Sequence, residues 1–118
     1  MIVVVDPASH VPPYEQVRAQ IEAAVDGGAM AAGHRLPTVR RLADDLGLAP
    51  NTVARAYREL EQSGVLVTRG RHGTFVAVRG SDREREAALA AQQYTRRLRE
   101  LGVDLDQALG HVRSAFGA

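Results

Sequence analysis

The sequence predicts a mostly α-helical chain with one small β-hairpin, and three observations carry that reading. Two apolar helical stripes lie close together, in "LPTVRRLADDLG" and "PNTVARAYRELEQ", parted only by a short turn containing Gly47. Directly after them the period changes, because "VLVT" and "TFVAV" are β-branched, apolar runs flanking "RGRHG". The chain then returns to helical spacing from residue 80 to its end. Helix, tight turn, second helix and basic hairpin together make a winged helix-turn-helix, followed by a two-helix C-terminal segment.

The elements follow in order. "IVVVD" has the composition of a short strand, ended by Asp6 and Pro7. "PYEQVRAQIEAAVDGG" predicts a helix with Tyr14, Val17, Ile21, Ala24 and Val25 on one face and Gly27 with Gly28 as its stop. "AMAAGHR" reads as a connecting loop. Thr38 then stands at an N-cap position, and Val39, Leu42, Ala43 and Leu46 keep helical spacing up to Gly47. In the next helix Pro50 takes the first helical position, so Ala49 occupies the N-cap and supplies no side-chain acceptor. Val53, Ala56, Tyr57 and Leu60 form its apolar face, opposite Asn51, Arg55, Arg58 and Gln62. Tyr57 belongs to the core on this reading, with its hydroxyl in reach of a phosphate at the domain edge.

Beyond the hairpin, Ser81 with Glu84 and Asp104 with Gln107 have capping-box spacing, so two helices begin there, joined by Gly102 and Val103. Ala87, Ala91, Tyr94, Leu98 and Leu101 make an apolar seam on the first, and Leu105, Ala108, Leu109, Val112 and Phe116 on the second. Two helices cannot enclose such faces by themselves, so they need the main domain or a second subunit. The expected dimerisation residues are Leu89, Tyr94, Leu98, Leu101, Leu105, Leu109, Val112 and Phe116. The expected domains are residues 1–79, binding DNA, and residues 80–118, dimerising the chain.

Composition narrows the function classes. A chain of 118 residues with 45% hydrophobic content holds one modest core and an appendage. The absence of cysteine excludes a disulfide framework, a thiolate metal site and a thiol nucleophile. "MIVVV" is too short for a signal peptide or a membrane span, so the expected setting is the cytoplasm and no membrane partner is implied. His10, His34, His72 and His111 lie far apart with no second ligand at zinc-motif spacing, and no nucleophile elbow or phosphate loop is present. Asp44 and Asp45 point to different helix faces and read as solvation. Neither an enzyme, a metal nor a cofactor is expected.

Net charge is +1, yet it is unevenly divided. Residues 1–34 hold one Arg against four acids, residues 35–79 hold eight against four, and residues 80–118 balance. Polyanion binding needs charge of this local kind, whereas a solvated surface does not. A recognition helix presents its first turn to base edges, where Asn pairs with adenine and Arg with guanine, so Asn51 and Arg55 are candidate base readers. Thr38 and the N–H groups it caps suit a phosphate. Arg35, Arg58, Arg69 and Arg71 are better placed to hold the duplex than to read it. The plain alternative is that Arg55 with Glu59, and Arg58 with Gln62, are i,i+4 pairs of an ordinary solvated face. Gly70 and Gly73 serve the turn on that view, and His72 is simply exposed.

The run from "VPPYEQVRAQIEAAV" through "GHRLPTVRRLADDLGLAPNTVARAYRELEQSGVLVTRGRHGTFV" resembles the winged helix-turn-helix domain of GntR-family transcriptional regulators. Its "LP-x-x-R-x-LA-x-x-LG" followed by "NTV-x-x-AY-x-EL" and the wing is specific in combination. The short tail is similar to the YtrA-like branch, where two helices dimerise the protein. By that resemblance Arg40 is a major-groove contact, Asn51 and Thr52 occupy polar positions at the start of the recognition helix, and Arg69, Gly70, Arg71, His72 and Gly73 match the wing loop in kind. Ala49, Pro50 and Ala54 depart from the family pattern. The implied function is that of a homodimeric regulator on double-stranded DNA with a palindrome-like operator, acting as a repressor by blocking promoter access. A small-molecule effector at the C-terminal helices is a variant of that reading. The alternative is a winged-helix protein-interaction module without sequence-specific DNA binding.

Overall fold

The computed structural model describes residues 3–78 and 82–117. Its internal contacts divide into two units, Met1–Arg79 and Gly80–Ala118. The first contains α1 (Pro13–Asp26), α2 (Val39–Leu46), α3 (Pro50–Gln62), β1 (Leu66–Thr68), a 3-10 turn (Gly70–His72) and β2 (Thr74–Val76). The second contains α4 (Asp82–Leu101) and α5 (Leu105–Phe116).

In the first unit α3 packs on α1, on α2 and on β1. Its expected apolar face is its buried face: Val53, Ala56 and Leu60 are fully buried and Tyr57 nearly so. Val17 and Ile21 of α1 and Leu42 and Ala43 of α2 close over it, and Met30, Leu36, Val65, Leu66 and Val76 complete the core. Each fully buried aliphatic side chain contributes about 1.5 to 3 kcal/mol, so this one cluster holds the unit together. Tyr57 brings a polar atom into it. Burial pushes the phenol well above its ordinary range, and the hydroxyl donates to the Pro37 carbonyl oxygen at 2.7 Å. That bond turns the hydroxyl inward, so the expected reach to a phosphate is corrected, while the assignment of Tyr57 to the core stands.

Helix ends follow the local chemistry. Thr38 Oγ1 accepts from the Arg41 backbone N–H at 3.1 Å, which satisfies one of the free donors of the first turn of α2. Gly47 closes α2 in the left-handed region, φ 67°, and Leu48 N–H donates back to the Ala43 carbonyl at 2.9 Å. Only residues 47–49 separate α2 from α3. Pro50 is in the first turn of α3, and Ala49 caps it with no side-chain bond.

One further expectation is corrected in this unit. Among the described residues, residues 3–6 pair with no strand, and Ile2 of the expected strand lies outside them. Gln20 instead accepts from Val4 N–H at 2.9 Å and donates to the Val4 carbonyl at 2.6 Å. Gln16 accepts from Asp6 N–H at 2.8 Å and donates to the Asp6 and Val11 carbonyls at 3.0 and 2.8 Å. Two side-chain amides on α1 thus meet the backbone requirement that a neighbouring strand would otherwise meet. The connecting loop before α2 is present as expected and is tied to the hairpin. Val76 N–H donates to the His34 carbonyl at 2.8 Å and Leu36 N–H to the Thr74 carbonyl at 2.8 Å, so Arg35 bridges to Phe75 beside β2. The hairpin itself pairs antiparallel, with Leu66 opposite Val76, Val67 opposite Phe75 and Thr68 opposite Thr74.

In the second unit the α5 capping box is complete: Asp104 accepts from Gln107 N–H at 2.9 Å, and Gln107 Oε1 accepts from Asp104 N–H at 3.2 Å. The other expected box begins at Ser81, outside the described residues. The turn at Gly102 and Val103 is closed by Val103 N–H donating to the Leu98 carbonyl at 2.9 Å. Tyr94 Oη donates to the Ala108 carbonyl at 3.3 Å and ties α4 to α5.

Because Ala49 leaves the first N–H groups of α3 without a side-chain acceptor, Ala49→Ser adds one. We expect it to stabilise the protein by about 0.5 to 1 kcal/mol, read as a raised urea midpoint at unchanged slope.

Candidate nucleic-acid interface

The polar residues of α2 and α3 lie away from the common core. Thr38 and Arg40 are exposed at the start of α2. The Thr38 oxygen already accepts from Arg41 N–H, and its hydroxyl proton remains able to donate to an oxyanion. On α3 Asn51 is exposed and Thr52 half-buried in the first turn, with Arg58 exposed two turns along. Among the described residues Arg40, Arg58, Arg69 and Arg71 form no ion pair with a carboxylate. Arg41, which the sequence did not single out, pairs with Asp45 at 3.4 Å.

Arg55 is differently placed. Its guanidinium carbon stands 3.6 Å from the centroid of the Tyr14 ring on α1, and its Nε lies 3.5 Å from Glu59 Oε2. The i,i+4 pair with Glu59 is therefore present, yet the Arg55 side chain keeps 55% exposure. Tyr14 was assigned only to an apolar face. Its position under Arg55 depends on the packing of α1 on α3, which no local spacing reveals.

The wing is built around a close approach. The 3-10 turn Gly70–His72 caps the hairpin, with Arg69 N–H donating to the Gly73 carbonyl at 2.9 Å. Arg69, Gly70 and Arg71 are exposed, and His72 is half-buried. Gly73 adopts φ 116°, and a Cβ there would lie 2.8 Å from Arg35 Nε. The structure thus brings Arg35, from the segment before α2, against the wing tip, and Gly73 is needed there for its backbone angle.

These features, a helix-turn-helix with a basic wing, agree with the profile of the bacterial regulatory proteins of the gntR family, which matches residues 13–76. The chain belongs to the GntR family. It is 44% identical over 108 residues to the HTH-type transcriptional regulator Rv1152 of Mycobacterium tuberculosis, covering 92% of this chain and 88% of that one. It is 41% identical over 73 residues to the HTH-type transcriptional repressor YtrA of Bacillus subtilis, covering 62% of this chain and 56% of that protein. The DNA-binding domain of AraR, solved in complex with operator ORX1, superposes with a TM-score of 0.57 at 28% identity over 65% of this chain and 95% of that one. This GntR member is accordingly a YtrA-like, DNA-binding transcriptional regulator and not an enzyme, and the reading as a protein-interaction module is set aside. Among the described residues no helix is long and apolar enough to cross a membrane.

Gly73→Ala should destabilise the first unit by about 1 to 3 kcal/mol, because an L residue is strained at this backbone angle, while the Arg35 side chain can shift aside. Urea unfolding measures it.

Proposed function

We propose that this regulator is a cytoplasmic homodimeric repressor whose two DNA-binding units hold a two-fold-related operator and block promoter access. The observation that carries the dimer is the row of apolar side chains left on the second unit. Leu105, Leu109, Val112 and Phe116 are 72%, 42%, 37% and 85% exposed, and Leu101 is 58% exposed. Residues 105, 109, 112 and 116 share one helix face, and a surface of this kind is an aggregation hazard unless covered. A second copy covers it by isologous pairing. Leu89 and Tyr94 are half-buried, whereas Leu98 is only 9% exposed in one copy and so is already covered without a partner.

In this proposal residues 1–79 bind DNA and residues 80–118 dimerise. Arg40, Asn51, Thr52 and Arg55 face base edges. Arg35, Thr38, Arg58, Arg69, Gly70, Arg71 and His72 hold the backbone. Repression is supported by the likeness to the YtrA repressor, and the DNA contact by the likeness to a domain solved on its operator. Linking two heads makes the second half-site contact effectively intramolecular and raises avidity without a new base contact.

Ending the chain after Gly80 should leave a folded monomer that binds one half-site weakly and loses most of its preference for a symmetric duplex. Leu109→Asp should act in the same direction while sparing Leu98 and the interior of the unit. Sedimentation together with titration of one- and two-half-site duplexes decides this. A truncated chain that stays dimeric and binds both duplexes as before would assign the helices another purpose, with an effector the first to examine.

Base and backbone contacts should also separate. Asn51→Ala or Arg40→Ala should cost about 1 to 3 kcal/mol on the best operator and relax preference at particular positions. Arg71→Ala should weaken all duplexes nearly alike and lower the logarithmic salt slope by about one. Duplex selection at stated salt, followed by titration, reads both. Uniform weakening by the first pair would overturn direct readout by those residues, and an unchanged slope would leave the wing a structural hairpin.

A further inference from the structure

Arg55 on α3 and Tyr14 on α1 are 41 positions apart and stack with the guanidinium carbon 3.6 Å from the ring centroid. Glu59 completes the arrangement. Its Oε2 is buried and accepts no hydrogen bond, but lies 3.5 Å from Arg55 Nε, so this carboxylate oxygen depends on the guanidinium for compensation. The other acidic neighbour, Glu15, is engaged by Arg18, which draws its carboxyl below the ordinary range.

The guanidinium is thereby held on one face by the ring and along its Nε edge by Glu59. Among the described residues neither terminal nitrogen of Arg55 donates a hydrogen bond within the chain, and the side chain is 55% exposed. A free arginine loses much rotamer freedom when it binds, and holding the fork beforehand reduces that loss. The contact adds little to holding α1 on α3, because Val17, Ile21, Val53 and Leu60 are already fully buried and exposed pairs contribute little stability. Its consequence is the direction in which Arg55 points.

We propose that Tyr14, which lies outside the helix-turn-helix, is a specificity-determining positioning residue that acts with Glu59 to hold Arg55 in the orientation in which it reads DNA. This rests on the proposed contact of Arg55 with DNA, and the test separates the two. The full-length protein is titrated with its selected operator and with duplexes changed at single positions, for Tyr14→Leu, Tyr14→Phe, Glu59→Gln, Arg55→Ala and the doubles combining Arg55→Ala with Tyr14→Leu or Glu59→Gln.

Arg55→Ala should lower discrimination at one operator position about tenfold. Tyr14→Leu should lower it at the same position, and Tyr14→Phe, which keeps the ring, should retain it. The Tyr14→Leu, Arg55→Ala double should match Arg55→Ala alone, because Tyr14 acts only through the arginine. If Tyr14→Leu proves unfolded by thermal denaturation, the Glu59→Gln cycle reads the same coupling from the other side of the guanidinium. Additive losses, or full discrimination in Tyr14→Leu and Glu59→Gln beside a loss in Arg55→Ala, overturn the positioning role and leave the DNA contact standing. Unchanged discrimination in Arg55→Ala overturns both.

Discussion

One apolar helix face serves three neighbours at once, and the rest of the first unit depends on it. α3 meets α1, α2 and the hairpin with the buried face formed by Val53, Ala56, Tyr57 and Leu60. On the opposite side of the helix Asn51 and Arg58 stand exposed. Tyr57 tightens the arrangement, since its hydroxyl bonds to Pro37, directly before the cap of α2. The short turn and this bond fix α2 against α3, so the starts of the two helices are set by the core rather than by what they bind.

What the sequence made legible was local. Thr38, Gly47, Asp104 with Gln107, and the buried stripe of α3 each act within one or two turns, and spacing alone identifies them. The family assignment was legible for a related reason, because the two helices and the wing occur in fixed succession. The features that escaped are those joining distant positions: Gln16 and Gln20 with Val4 and Asp6, Arg35 with Gly73, and Arg55 with Tyr14. The failed strand shows why. A run of valines expresses a preference for extended backbone, but a strand also needs a partner, and composition does not say whether one is present.

Charge follows the same division between local and distant. The arginine excess of residues 35–79 was visible by counting, yet counting treats every arginine alike. Arg41 is paired with Asp45, Arg55 lies between a ring and a carboxylate, and Arg35 lies across the wing glycine, while among the described residues Arg40, Arg58, Arg69 and Arg71 have no acidic partner. The field presented to a polyanion is therefore set by fewer side chains than the composition suggests.

The two glutamines that hold the N-terminal segment have a further consequence. Gln20 and Gln16 each address the main chain of alternate residues, Val4 and Asp6, while Val3 and Val5 turn toward the core. Such a clasp recognises chain direction and phase but no side chain. Val4, whose N–H and carbonyl both bond to Gln20, is exposed, so the segment is gripped by its backbone where its side chain faces outward. The clasp therefore sets which valines face inward, a choice that a run of identical side chains cannot make for itself.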